Sequence, residues 1–227
     1  MKKIGILHIS DIHINASSIS EIDSLVEKLI KDIEKVKTES GININLICFA
    51  GDLIGRGDMA FENEMQIGLA EEHFIQPLLT ANGLTEKEFI LVPGNHEVDK
   101  RKIAKITEKG LTMISSLEEV NETIYDMQDE YKSRLQSFYD YMHEKYVSEA
   151  ETWNLGYSIS KNINGINVGI VGLDSAWRST GAGWEERGKM FVGEQQVGIL
   201  HNNIKDADLK ICLMHHPLDW LSDLEMG

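Results

Sequence analysis

Asp11 and His13 stand two positions apart, and Asp52 closes a Gly51-Asp52 pair. Asn95 and His96 fall in the run Gly94-Asn95-His96-Glu97, and His215 opens His215-His216-Pro217. Carboxylate, amide oxygen and imidazole form the donor mixture that suits hard-to-borderline divalent cations. Each residue alone would pass for a strand-end cap or a turn residue. The repetition of one design in four places points to a metal site.

The design is an apolar run that stops at a ligand. Ile6 to Ile9 precedes Asp11, Leu46 to Ala50 precedes Asp52, Phe89 to Val92 precedes Asn95, and Ile211 to Met214 precedes His215. Such runs predict four buried strands that present Asp11, His13, Asp52, Asn95, His96 and His215 at one edge of a sheet. Between Ser20 and Lys37 the residues Ile22, Leu25, Val26, Leu29, Ile30, Ile33 and Val36 recur at spacings of three and four, which predicts an amphipathic helix. A second helix is predicted over Glu62 to Leu79, with Pro77 near its end and Gly83 breaking the chain beyond it. A third, long and charged, is predicted over Asn121 to Tyr146, with Tyr125, Met127, Tyr131, Leu135, Phe138 and Tyr139 as its packing stripe. Gly156 to Ser160 and Ile166 to Leu173 predict a hairpin, turning within Lys161 to Gly165. Strand-helix units followed by a hairpin fit a layered α/β architecture with two sheets back to back and helices outside.

Composition narrows the class. A chain of 227 residues without internal repeats suits one domain with a substantial core. No stretch approaches the roughly 18 apolar residues of a membrane span, and the start has no secretory pattern, so the expectation is a soluble cytoplasmic protein that does not engage a membrane. Net charge is −15, which repels polyanions at long range and disfavours coating of duplex DNA. Bound cations would offset that field locally. The acidic runs Glu118 to Glu122 and Asp126 to Glu130 suit a solvated helix face. Cys48 and Cys212 lie in apolar runs and are expected to be inert core thiols.

The order of Asp11-x-His13, Gly51-Asp52, Gly94-Asn95-His96-Glu97 and His215-His216-Pro217 resembles the calcineurin-like metallophosphoesterase superfamily. The blocks span residues 11 to 217. The resemblance implies a four-layer αββα sandwich of two mixed sheets flanked by helices. It also implies two divalent metal ions, with Asp11 and His13 on one, Asn95 and His215 on the other, and Asp52 bridging them. A carboxylate suits the bridge because an anion with two oxygens neutralises and links both cations. A neutral amide at Asn95 leaves positive charge available for phosphate. Manganese is the expected metal, although iron, zinc and cobalt accept the same donors. Two such ions about 3.5 to 4 Å apart hold a hydroxide between them and clamp the oxygens of an in-line displacement at phosphorus. His96 is implied to face the substrate and to protonate the leaving group, with packing behind the site as its alternative. Glu97 is expected to orient that histidine or to cap the next segment, and His216 to pack behind the site. Gly51 to Gly57 is similar to the phosphate-gripping block of the Ser/Thr protein phosphatases, which makes Arg56 a candidate phosphate ligand. Gly55 departs from that block, and a solvent-facing Arg56 on a glycine-rich loop is the other reading.

After the strand ending at Leu173 comes a loop rich in tryptophan, arginine and glycine, from Ser175 to Gly188. A base could stack on Trp177 or Trp184 with Arg178 on phosphate, or the aromatics could tuck the loop onto the core. Ser175 lacks the setting of a nucleophile elbow and has no indicated histidine partner. The superfamily's closing Gly-His-x-His block is absent, so the chain is expected to be the N-terminal portion, residues 1–227, of a longer protein, lacking the last strands and joined to further C-terminal sequence or domains. The function expected is a metal-dependent phosphoesterase, with a phosphodiester of a nucleotide or single-stranded nucleic acid as the favoured substrate. The alternatives are a catalytically incomplete ligand-binding or regulatory module, and a phosphomonoesterase like the Ser/Thr protein phosphatases.

Overall fold

The apolar runs form strands where expected, and two short sheets share them out. The computed structural model describes residues 2–55 and 60–225. In chain order the elements are β1 (Gly5–Ile9), α1 (Ile19–Ser40), β2 (Ile44–Phe49), α2 (Ala60–Ala70), α3 (Gln76–Asn82), β3 (Phe89–Leu91), α4 (Lys105–Leu111), α5 (Leu117–Asp126), α6 (Gln128–Arg134), α7 (Gln136–Lys145), β4 (Glu151–Trp153), β5 (Gly156–Ile163), β6 (Ile166–Leu173), α8 (Glu194–Asn203) and β7 (Leu209–Leu213). The first sheet has the order β1-β2-β3 and is parallel throughout. The second, β4-β5-β6-β7, is mixed: β4 to β6 are antiparallel and β7 lies parallel to β6.

The sheets face each other across one core, in which Leu46, Phe49 and Leu91 meet Tyr157, Ile159 and Ile170. The Tyr157 hydroxyl crosses the gap and donates to the Leu91 carbonyl at 2.8 Å. Helix α1 buries Ile22, Val26 and Ile33 in that same core, while Leu25 and Val36 of the predicted stripe are exposed. Helix α8 buries Leu200 against Val171 and Leu173 of the second sheet. Helices thus lie outside both sheets, in the α/β sandwich that the resemblance implied, although only the second of the two sheets is mixed. Among the described residues no helix is long and apolar enough to cross a membrane.

Several local expectations are corrected. β2 and β3 are buried, but β1 and β7 are sheet edges with exposed positions, and Cys212 of β7 is exposed rather than a core thiol. The second predicted helix holds a π-helical turn over Glu71–Ile75 that joins α2 to α3 immediately before Pro77. A widened turn accommodates a proline, which has no N–H and crowds the preceding turn. The long third helix is three, broken at Met127 and Leu135. Its apolar residues serve two cores: Ile124, Tyr131 and Leu135 pack with Trp177, whereas Phe138 and Met142 join the inter-sheet core. One straight helix could not face both, and Tyr125 of the predicted stripe is left exposed. The hairpin turns at Asn164-Gly165, both at positive φ, as a two-residue turn requires.

Candidate metal centre

The loops after β1, β2, β3 and β7 meet at one end of the sandwich. The ligand edge therefore belongs to both sheets, since His215 comes from the second and the other five from the first. The first two loops continue the strand pairing: Asp11 N–H donates to Gly51 O at 3.0 Å, His13 N–H to Asp52 O at 3.1 Å and Ile14 N–H to Leu53 O at 3.0 Å. Asp11, His13 and Asp52 hold φ values of 60°, 51° and 58°, a left-handed backbone rare for residues with a side chain. Each such residue costs about 1–3 kcal/mol and persists where the surroundings impose it, commonly at functional sites.

Asp52 lies at the centre. Its Oδ2 is 3.7 Å from His13 Nε2, 3.9 Å from His96 Nε2 and 3.6 Å from His215 Nε2, while its Oδ1 accepts the His96 backbone N–H at 2.9 Å. Asp11 Oδ1 is 3.8 Å from His13 Nε2. Asn95 Oδ1 is 3.2 Å from His215 Nε2. His215 Nδ1 is 2.8 Å from the Ala50 carbonyl, which only accepts, so Nδ1 carries the proton. In the neutral ring Nε2 then turns its lone pair toward Asn95 Oδ1 and Asp52 Oδ2. Acceptors converging on acceptors is an arrangement that a cation resolves; His13 turns its Nε2 to the Asp11 and Asp52 carboxylates, and its buried Nδ1 has no hydrogen-bond partner among the described residues. Two groups bring their donor atoms within 4.8 Å of one another: His13, Asp52 and His96, and Asp11, Asp52 and His215. The residues present therefore fit divalent cations, and both groups share Asp52.

Supporting residues differ from expectation. Glu97 does not orient His96. Its buried carboxylate accepts the N–H of Asp52 at 2.9 Å, of Gly94 at 2.6 Å and of Ile54 at 3.1 Å, and so ties the β2 and β3 loops together. Burial first, and then the charge of Asp52, pushes its carboxyl well above the usual carboxylate range. His216 packs behind the site as expected, and it is also a partner for Ser175, for which the sequence indicates no histidine. Ser175 Oγ accepts the His216 backbone N–H at 2.9 Å and lies 3.0 Å from its Nδ1. Both are buried, so the pair fixes the turn beside His215 and offers no nucleophile to solvent. Burial pushes the His216 imidazole down to about 4.

Trp177 is fully buried and donates Nε1–H to the Phe191 carbonyl at 2.7 Å, and buried Arg178 donates to the Lys189 carbonyl. Neither is placed for substrate. Trp184, by contrast, is 76% exposed. Arg56 lies outside the described residues. Asp174, which follows β6, was not singled out from sequence; it is buried and accepts from the Tyr139 hydroxyl at 2.5 Å and from Ala176 N–H at 2.7 Å. It borders a cavity of about 470 Å³ shared with Pro93, Tyr139, His143, Asn154 and Tyr157, and none of the candidate ligands lines that cavity.

A search of curated proteins finds no match to this chain. The family model for calcineurin-like phosphoesterases matches it over residues 4–226, which includes every strand and loop that brings a donor to Asp52. The chain belongs to the calcineurin-like phosphoesterase family, a family of metal-dependent phosphoester hydrolases.

Proposed function

We propose that this chain hydrolyses phosphodiesters at a dinuclear centre that prefers manganese. The observation that carries the reading is the position of Asp52 Oδ2, 3.7 Å from His13 Nε2 and 3.6 Å from His215 Nε2, imidazoles that come from two different sheets. Asp52 would be shared by two ions, with Asp11 and His13 toward one and Asn95 and His215 toward the other; this division follows the ligand order of the resemblance, whereas the donor atoms group Asp11 with His215 and His13 with His96. When bound, such ions supply Lewis acidity and an activated water. The chain's own residues do the rest. Asn95 adds no charge, so the site stays attractive to phosphate. The Ala50 carbonyl fixes the His215 tautomer and ring orientation.

His96 is the proton donor in this reading. Its backbone is held by Asp52 Oδ1, its ring lies against His13 with centroids 4.2 Å apart, and its side chain is 20% exposed, so a leaving oxygen has access to it. Protonation of that oxygen by a positioned imidazole is worth about 10²- to 10⁴-fold in rate.

Metal content and turnover of bis(p-nitrophenyl) phosphate with manganese, zinc and magnesium test the division of roles. Asp52→Asn is expected to lose bound metal, because it removes the shared charge. His96→Ala is expected to keep its metal and to lose about 10²- to 10⁴-fold in rate on a dinucleoside monophosphate, whose leaving alkoxide needs a proton, with a much smaller loss on the p-nitrophenyl ester, whose leaving group does not. Equal metal loss in both variants would make His96 a ligand and overturn the assignment.

A further inference from the structure

We propose that Trp184 and Trp220 form a stacking shelf for the base of a nucleotide phosphodiester, so that this site selects esters of nucleosides over simple alkyl esters. The inference rests on the hydrolytic reading above and names the part of the substrate that reading leaves open.

A continuous path of ring contacts leads out from the metal centre. His215 and His216 have ring centroids 4.8 Å apart, His216 and Trp220 are stacked at 5.2 Å, and Trp220 and Trp184 are 5.6 Å apart. The path begins at a candidate ligand and ends in solvent, where Trp184 is 76% exposed. A tryptophan that served only to pin its loop would bury its ring, as Trp177 does a few residues earlier. Leaving so large an aromatic face in water forgoes hydrophobic stabilisation that burial would provide.

The backbone beneath is rigid. The buried carboxylate of Glu186 accepts the N–H groups of Thr180, Gly181 and Ala182 at 2.6, 2.9 and 3.0 Å, and the Thr180 hydroxyl at 2.8 Å. The N–H groups of Gly188 and Met190 both donate to the Trp220 carbonyl, at 3.0 and 3.1 Å, and Ser222 N–H returns to Met190 O at 2.9 Å. The loop carrying Trp184 is thus stapled to the loop that carries His215, His216 and Trp220. An exposed ring on a preorganised support binds a planar partner with little ordering cost. Arg187, whose guanidinium lies 6.0 Å from the Trp184 ring centroid, is ion-paired with Asp219 at 2.5 Å, which holds it at the edge of the ring. An exposed aromatic face held in this way suits a base, and stacking of this kind tolerates any base.

Two esters with the same leaving group decide it: thymidine 5′-(p-nitrophenyl phosphate) and ethyl p-nitrophenyl phosphate, with the chain loaded with manganese. Trp184→Ala is expected to raise the ratio of KM for the nucleoside ester to KM for the ethyl ester about 5- to 20-fold, and Trp184→Phe to restore most of it. An unchanged ratio overturns the shelf. If the unmodified chain hydrolyses neither ester in any metal, the hydrolytic reading fails and the shelf is judged by binding. Tryptophan fluorescence is then titrated with AMP and with ribose 5-phosphate. Quenching by AMP alone that disappears in Trp184→Ala supports the shelf, and equal responses to the two ligands overturn it.

Discussion

Glu97 does at the residue scale what no ligand does for itself: it fixes the distance between two loops that approach from different strands. Its carboxylate accepts from Asp52, Ile54 and Gly94, so the bridging candidate and the run that delivers Asn95 share one buried anion. Glutamine has nearly the same shape but only one acceptor oxygen, and its amide would point donors at a donor. Glu97→Gln should leave at least one buried N–H unsatisfied and cost about 1–3 kcal/mol, with weaker metal binding as the loops lose their register. Denaturant unfolding in chelator, followed by metal titration, checks both effects, and unchanged values in both would mean that the three hydrogen bonds carry no net stability. The sequence placed Glu97 next to His96 and suggested a local partner. Its actual partners lie three and more than forty positions away, and no local pattern reveals them. The ligands were legible for the opposite reason, since each sits directly after its own strand.

Elements deliver those ligands only because the loops touch backbone to backbone. A Cβ on Gly94 would stand 2.4 Å from Asp52 N and 2.2 Å from Asp52 Oδ1, and one on Gly51, at φ 86°, would stand 2.7 Å from Gly94 N. Gly94→Ala must therefore separate the β2 and β3 loops or shift the Asp52 carboxylate. A loss of about 1–3 kcal/mol or more is expected, together with metal binding. Gly198 of α8 has open space where its Cβ would be, so Gly198→Ala should instead gain roughly 0.5–1 kcal/mol and leave metal binding alone. Calorimetry and metal titration of the two variants separate close approach from simple glycine replacement; comparable stability changes of the same sign would contradict the packing argument. At this scale the strands, the first helix and the hairpin were readable, because each has a local period. The breaks at Met127 and Leu135 were not, because the apolar stripe runs through them unbroken and only the existence of two cores explains the bend.

The convergence of two sheets belongs to the whole molecule, and the sequence could not show that β7 lies in a different sheet from the other ligand strands. Closing the sandwich also traps ionisable groups whose cost appears as pH dependence. Burial is the main cause that raises the Asp174 carboxyl from 3.8 to about 7, against hydrogen bonds from Tyr139 and Ala176 that favour the charged form. With a raised folded value, its contribution to stability is complete below about 4 and is lost as pH rises through about 7. His216, lowered from 6.5 to about 4, has the opposite sign: its contribution is present above 6.5 and is lost as pH falls through about 4. Asparagine at 174 mimics the protonated acid, keeping an acceptor for Ala176 N–H and offering a donor to the Tyr139 oxygen. Asp174→Asn should thus match the original chain near pH 4 and gain on it by up to about 1.4 kcal/mol per pH unit as pH approaches 7, while the His216 dependence persists in both. Denaturant midpoints across this range, taken in chelator so that metal binding does not intrude, give the difference directly. A difference independent of pH would show that Asp174 ionises inside the fold as readily as it does in water.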